Sequence, residues 1–291
     1  MFGEKTVING HQISENMQKF YNKTRQSHSI PRKLIREGKW YLLPVYYLLT
    51  TSELANEGIK NSGSHYFADH IYANKPKGKF IIGKILDYIL LKLESAQSLR
   101  ARYIYAKKEI HKLVGEVSHE NSINILAVPC GLSREFFEVS DELKSENHPR
   151  YSHVNWTGID LDEELIKKLE EKNNMHGYNI KFISGDALDQ NTYNIEELYD
   201  MIINTGFTEF LDDLDTLNFY KIAHNYLKQE GIFFTSGMMP HKLSDYLMKN
   251  IAELHTQYRS EDLLKELACS AGFKKVHTYK DKLQTILIGT K

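Results

Sequence analysis

An apolar run that stops in a Pro-Cys-Gly turn and reopens as a helix narrows what this chain can fold into. Residues 123–135 read INILAVPCGLSRE. Ile125, Leu126 and Val128 form a short strand-like run, and Phe136, Phe137 and Val139 follow as the apolar positions of a helix. The pattern predicts a strand, a tight turn and a helix N-terminus. In an open α/β sheet such a turn lies at the strand's carboxyl end. Backbone N–H groups and the helix dipole there favour a nucleotide-like ligand.

Three later segments fall where one sheet would place them. Residues 156–171 (WTGIDLDEELIKKLEE) predict a strand ending at Asp160, then a helix with acids in its first turn and lysines later. That charge order suits the helix dipole. A carboxylate at the tip of the second strand can accept both hydroxyls of a ribose. Asp160 follows Gly131 by more than the ~20 residues usual in dinucleotide folds, and the polar stretch 141–153 reads as the inserted loop. Residues 180–188 (IKFISGDAL) run a strand into Gly-Asp-Ala. Residues 199–211 (YDMIINTGFTEFL) run another into a polar, aromatic loop.

Together these segments resemble the class I, Rossmann-like S-adenosylmethionine-dependent methyltransferases. The resemblance implies a doubly wound α/β fold, with a seven-stranded sheet whose last strand is antiparallel. It implies that Gly131 faces the methionine part of S-adenosylmethionine, Asp160 binds its ribose, and Asp186 lies near the adenine amine. Pro129, Leu161, Gly185, Ala187, Asn204 and Thr205 would complete that surface. Residues 227–239 and 283–290 resemble the family's fifth and last strands. The words PCGLSRE, YANKPKGKFIIGKILD (72–87), SLRARY (98–103) and SGMMPH are similar to a narrower bacterial group of methyltransferases, for which no common acceptor is known. The first turn departs from the family's pattern. Ala127 stands where an acid is usual, and Pro129 and Ser133 stand where glycines are. Pro129 has no N–H to donate, so the methionine carboxylate is expected to be met by Arg102 or Tyr72.

Residues 1–118 lack strand–helix alternation and predict a helical cap of three to five helices, including one broad apolar stripe over Gly78–Leu113. The expected division is a cap or lid over 1–118 and the S-adenosylmethionine-binding domain over 119–291, with a junction at Glu116–Asn121. A net charge of −1 offers no global field for long nucleic acid or an anionic membrane. Residues 1–12 lack a signal-peptide pattern. The longest apolar run, Trp40–Leu49, is broken by Pro44 and is far short of the ~20 residues that span a bilayer. Two cysteines without CxxC spacing imply no disulfide framework and a cytoplasmic home. Histidines show no metal-ligand spacing.

The expected partner is therefore a small, partly apolar acceptor held under the tyrosine-rich cap, with transfer at oxygen and His241 or His70 taking its proton. Cys130 reads as a small filler of the turn rather than a nucleophile. Asn204–Phe207 (NTGF) matches only the ends of the Asn-Pro-Pro-aromatic motif of amino-group methyltransferases. The alternatives are a non-catalytic binder on the same fold, a protein or nucleic-acid methyltransferase, and a nicotinamide oxidoreductase, which the missing GxGxxG disfavours.

Overall fold

A computed structural model describes residues 6–8, 11–13, 30–61, 64–116, 122–149, 151–193, 198–252 and 254–291. Most of the expected junction, residues 117–121, lies outside them.

Strands β1 (Thr6–Ile8) and β2 (His11–Ile13) pair antiparallel as a separate hairpin. Helices α1 (Ile30–Arg36), α2 (Leu43–Leu49), α3 (Glu53–Lys60), α4 (His65–Ala73), α5 (Phe80–Leu91) and α6 (Glu94–Glu116) follow, with a 3-10 turn at Trp40–Leu42. The described residues thus hold six helices where three to five are expected. The apolar stripe over 78–113 is two helices, α5 and α6, that break at Lys92–Leu93. The short helices are set by local stops. Ser52 and Ser64 cap α3 and α4 by accepting the N–H groups of Ala55 and Phe67, and Asn74 ends α4 in the left-handed conformation.

One buried carboxylate ties these helices together. Asp87 of α5 is fully buried. Its Oδ1 accepts from Ser52 Oγ (2.5 Å) and Leu54 N (3.2 Å), and its Oδ2 from Lys77 N (2.8 Å) and Gly78 N (2.7 Å). Beside it the backbones of two turns nearly touch. A Cβ on Gly78 would lie 2.2 Å from the Gly83 backbone, and one on Gly83 would lie 2.2 Å from the Thr51 carbonyl oxygen. Only glycine permits that approach.

The main sheet contains β3 (Ile123–Ala127), β4 (Val154–Asp160), β5 (Ile180–Ser184), β6 (Tyr199–Ile203), β7 (Leu227–Met238), β8 (Lys275–Asp281) and β9 (Gln284–Thr290). Their spatial order is β5-β4-β3-β6-β7-β9-β8. All pairings from β5 to β7 are parallel, and β9 runs antiparallel to both β7 and β8. This is the doubly wound seven-stranded sheet expected, with the final strand inserted antiparallel. The order reverses between β3 and β6, so a crevice opens at their carboxyl ends.

Helices cover both faces. α7 (Arg134–Ser145) and α8 (Glu163–His176) pack on one, and α9 (Asp213–Tyr226) and α11 (Glu261–Ala271) on the other, while α10 (Lys242–Ile251) follows β7. The second half of α6 belongs to the first face. Ala106, Ile110, Leu113 and Val114 are buried against Ile123, Ile125 and Phe136. A boundary after residue 118 therefore separates the sheet from a helix that forms part of its core. Among the described residues no helix is long and apolar enough to cross a membrane.

Candidate functional site

A cavity of about 600 Å³ lies between the cap and the carboxyl ends of β3, β4 and β5. Its floor is the turn after β3. There Pro129 follows a cis peptide bond, and Gly131 and Ser133 both take positive φ, +49° and +46°. Cys130 N donates to Ile159 O (2.7 Å) and Gly131 N to Asp160 Oδ2 (2.9 Å), so the turn is fastened to the neighbouring strand tip. Asp160 Oδ1 accepts from Asp162 N (3.1 Å). Burial pushes the Asp160 carboxyl up, against the stabilising pull of those two N–H groups and of His65.

At the next tip Asp186 is buried, and its Oδ1 accepts from Leu188 N (2.9 Å). Gly185 N donates to Asp160 O (2.9 Å), which locks the two acidic turns side by side. Pro129, Gly131, Asp160, Leu161, Gly185, Asp186, Ala187 and Thr205 all line the cavity. Asn204 does not. It is fully buried behind the turn, where Nδ2 donates to Val128 O (2.9 Å) and Oδ1 accepts from Thr235 Oγ1 (3.1 Å). Its amide joins β3, β6 and β7 instead of facing a ligand.

The cap supplies the opposite wall. Arg102 of α6 and Tyr72 of α4 both line the cavity, but they are bound to each other as well as facing it. Arg102 Nε donates to Tyr72 Oη (3.2 Å), and Nη1 donates to both oxygens of Glu209 (3.3 and 3.2 Å). The guanidinium lies on the backbone of Gly206, where a Cβ would come within 2.5 Å of it; φ there is +84°. Tyr72 stacks on Tyr103 with centroids 4.7 Å apart, and Tyr103 Oη donates to Glu138 of α7. Arg134, one turn earlier on α7, donates from Nε to Asp69 of α4 (2.6 Å) and from Nη1 to Glu138 (3.1 Å). Charged and aromatic groups thus join α4, α6 and α7 around the opening.

The two histidines singled out from sequence are not in the cavity wall. His70 is buried in the cap, its Nε2 3.1 Å from Lys75 O and 3.8 Å from Asp87 Oδ2. His241 caps α10 through Nδ1, which accepts from Ser244 N (3.3 Å). Both perform structural work. His65, which the sequence reading passed over in the run NSGSHYF, is the histidine at the cavity. It opens α4 directly above Gly131, and its buried Nε2 has no hydrogen-bond partner. Burial pulls its pKa down, against the nearby Asp160.

Glu135 is the second residue missed. It is the acid in the first turn of α7. In the structure it is 8% exposed, lines the cavity, and burial pushes its carboxyl up to about 7. A titratable group held near neutrality in a cleft is suited to proton transfer. Cys130 is buried, and burial raises its thiol well above the ordinary range, which suits a filler of the turn. Among the described residues no group of three or more metal-ligating side chains gathers.

A family profile described as "Methyltransferase domain" matches residues 119–288. No curated protein matches the sequence. Among solved structures, a possible exported protein from Bordetella parapertussis is similar along nearly the whole chain. Its TM-score is 0.71 at 16% identity, covering 96% of this chain and 97% of that one. Magnesium protoporphyrin IX methyltransferase from Synechocystis PCC 6803, with bound SAH, has a TM-score of 0.52 at 12% identity, covering 77% of this chain and 93% of that one. The S-adenosylmethionine-dependent methyltransferase SibL in its apo form has a TM-score of 0.50 at 12% identity, covering 89% and 76%.

Proposed function

The chain belongs to the methyltransferase-domain family and is an S-adenosylmethionine-dependent methyltransferase; we propose that it methylates a small, partly apolar molecule, at oxygen, in the cytoplasm. The observation that carries this reading is that one cavity spans both chemistries. Its floor holds the strand-tip acids Asp160 and Asp186, and its roof holds apolar cap residues such as Leu54, Phe67 and Leu90. A volume of about 600 Å³ lies within the range of small-molecule clefts, about 300–1,000 Å³.

The residues present fit the cofactor. Each oxygen of the Asp160 carboxylate accepts one backbone N–H. Two oxygens carry about four acceptor positions, so capacity is left for ribose hydroxyls. The unpartnered Nε2 of His65, a cavity-lining residue whose Cβ packs against Gly131, offers one further polar contact. We assign the ribose to Asp160, the adenine side to Asp186, Ala187 and Leu161, and the methionine end to Gly131 and the Arg102–Tyr72 pair. When bound, S-adenosylmethionine supplies a methyl group on a sulfonium, an already activated leaving group. The cap helices, which we assign as a lid over the crevice, hold the acceptor against the strand tips and exclude water. The Glu135 carboxylate, in place of His241 or His70, takes the acceptor's proton. Magnesium protoporphyrin IX, named for one structural neighbour, is an acceptor of the same general kind, small and largely apolar.

Asp160→Ala is expected to weaken S-adenosylhomocysteine binding about ten- to hundredfold, the value of one charge-assisted contact, measured by calorimetry. Asp160→Asn should lose less, because its amide oxygen still accepts a turn N–H. Unchanged affinity in a folded Ala variant would remove Asp160 from the site. The acceptor class is tested by labelled-methyl transfer to a cell extract separated into metabolite, protein and nucleic-acid fractions. Label confined to protein or RNA would refute the small-molecule reading.

A further inference from the structure

The strongest unexplained feature lies outside the crevice, on the outer side of α5. Six apolar residues along α5, spread over almost its whole length, are exposed: Phe80 (84% exposed), Ile81 (77%), Ile82, Ile85, Tyr88 and Ile89. Isolated exposed apolar residues are ordinary, but a contiguous row of large ones marks a contact surface. At 100° per residue, Ile81, Ile82, Ile85, Tyr88 and Ile89 fall on one arc, and Gly83, Asp87 and Leu91 form the buried arc opposite. The helix is therefore anchored from behind, by the Asp87 hub and the Gly78–Gly83 contact, and holds its apolar side outward. Tyr47 and Leu48 are exposed too, one turn before Thr51, whose carbonyl meets Gly83.

The charge along this stretch of chain is one-sided, although Glu53 and Glu57 of α3 lie beside Lys79. Lys75, Lys77, Lys79, Lys84 and Lys92 are all exposed, and the only acid between Lys75 and Leu93 is the buried Asp87. The whole chain carries −1, so this local excess is invisible in the net charge. Lys92 lies over the ring of Tyr88, its Nζ 5.5 Å from the centroid.

We propose that the outer face of α5, with its five flanking lysines, docks on the surface of an anionic lipid bilayer. A helix lying in the membrane interface buries its apolar arc among the acyl chains while lysines reach the headgroups, and clustered lysines recognise anionic lipid. A second copy of the chain fits less well. A two-fold contact would set the same lysine cluster against itself, and protein interface cores are depleted in lysine. The docking is independent of the methyl-transfer assignment. The two surfaces share one helix, because Leu90 near the end of α5 lines the cavity.

The experiment is flotation of the full chain with vesicles of phosphatidylcholine alone and of an equal mixture with phosphatidylglycerol. Binding is expected to the mixed vesicles, to be much weaker to the neutral ones, and to fall as salt is raised. Lys77→Gln with Lys79→Gln should cost about thirtyfold in affinity, at roughly fivefold for each lysine. Ile81→Ser with Ile85→Ser should lose binding while the circular dichroism spectrum is unchanged, since both side chains are exposed. No binding of the wild type to mixed vesicles, or equal binding by either double variant, would overturn the proposal. So would a wild-type dimer in sedimentation that Ile81→Ser with Ile85→Ser dissociates, with no vesicle binding, which would assign the face to a second copy.

Discussion

Glu135→Gln is expected to slow methyl transfer by about 10²–10⁴, the range for loss of a positioned general base, and at the same time to stabilise the protein in alkaline buffer. Both effects have one cause. The carboxyl is buried in the cavity wall, and burial raises it from 4.5 to about 7. The native chain holds that proton longer than the unfolded chain does. Between pH 4.5 and about 7 the native state binds more protons, so stability falls as pH rises through this window. Above it the full penalty applies, about 3 kcal/mol for a shift of this size; below it the penalty is absent. Glutamine carries no proton to lose. The variant should therefore melt higher than the wild type near pH 8 and about equally near pH 4. The wild-type rate should rise with pH through a limb near 7 that the variant lacks. A glutamine variant of ordinary activity would restrict Glu135 to a structural role, and one with the same melting temperature at both pH values would show that its burial is not felt.

Asp87→Ala is expected to destabilise the chain by about 3–5 kcal/mol, the usual result of removing one partner from a buried charged network. The substitution strands Ser52 Oγ and the N–H groups of Leu54, Lys77 and Gly78, which now converge on one carboxylate. Each orphaned donor carries a desolvation cost of about 1–3 kcal/mol, relieved only where the cap opens to water. Asp87→Asn should fall between, because its amide oxygen still accepts while its NH₂ opposes the remaining donors. Denaturant midpoints of the three proteins decide it. An alanine variant within about 1 kcal/mol of the wild type would mean that the cap rearranges without the hub. The hub also bears on the site, since α3 and α5 bring Leu54 and Leu90 to the cavity.

The sheet was legible in the sequence because its signals are local. A parallel strand buried on both faces reads as an apolar run, its turn as Gly, Pro or Asp, and its helix as a change of period. Those signals located strands β3 to β6 to within a few residues and put Gly131, Asp160 and Asp186 at adjoining strand tips. Even the departure at Pro129 was visible. The cap was less legible. Its helices are short and separated by caps and glycines whose roles depend on contacts distant in sequence, such as Thr51 with Gly83 or Ser52 with Asp87.

Proton chemistry was decided by tertiary structure alone. His65, His70 and His241 carry the same side chain, and a titratable group, Glu135 included, acquires its role from what surrounds it in space. Folding sends His70 to the Lys75 carbonyl and His241 to the start of α10, while it turns His65 and Glu135 toward the cavity. The same holds for Arg102 and Asn204. Sequence placed both near the crevice. Only packing committed the first to Glu209 and Tyr72, and the second to the backbone of β3 and the hydroxyl of Thr235. Periodicity specifies which face of an element is apolar. Which distant groups meet across that face depends on how the elements pack in three dimensions, and that is where burial, pairing and pKa are set.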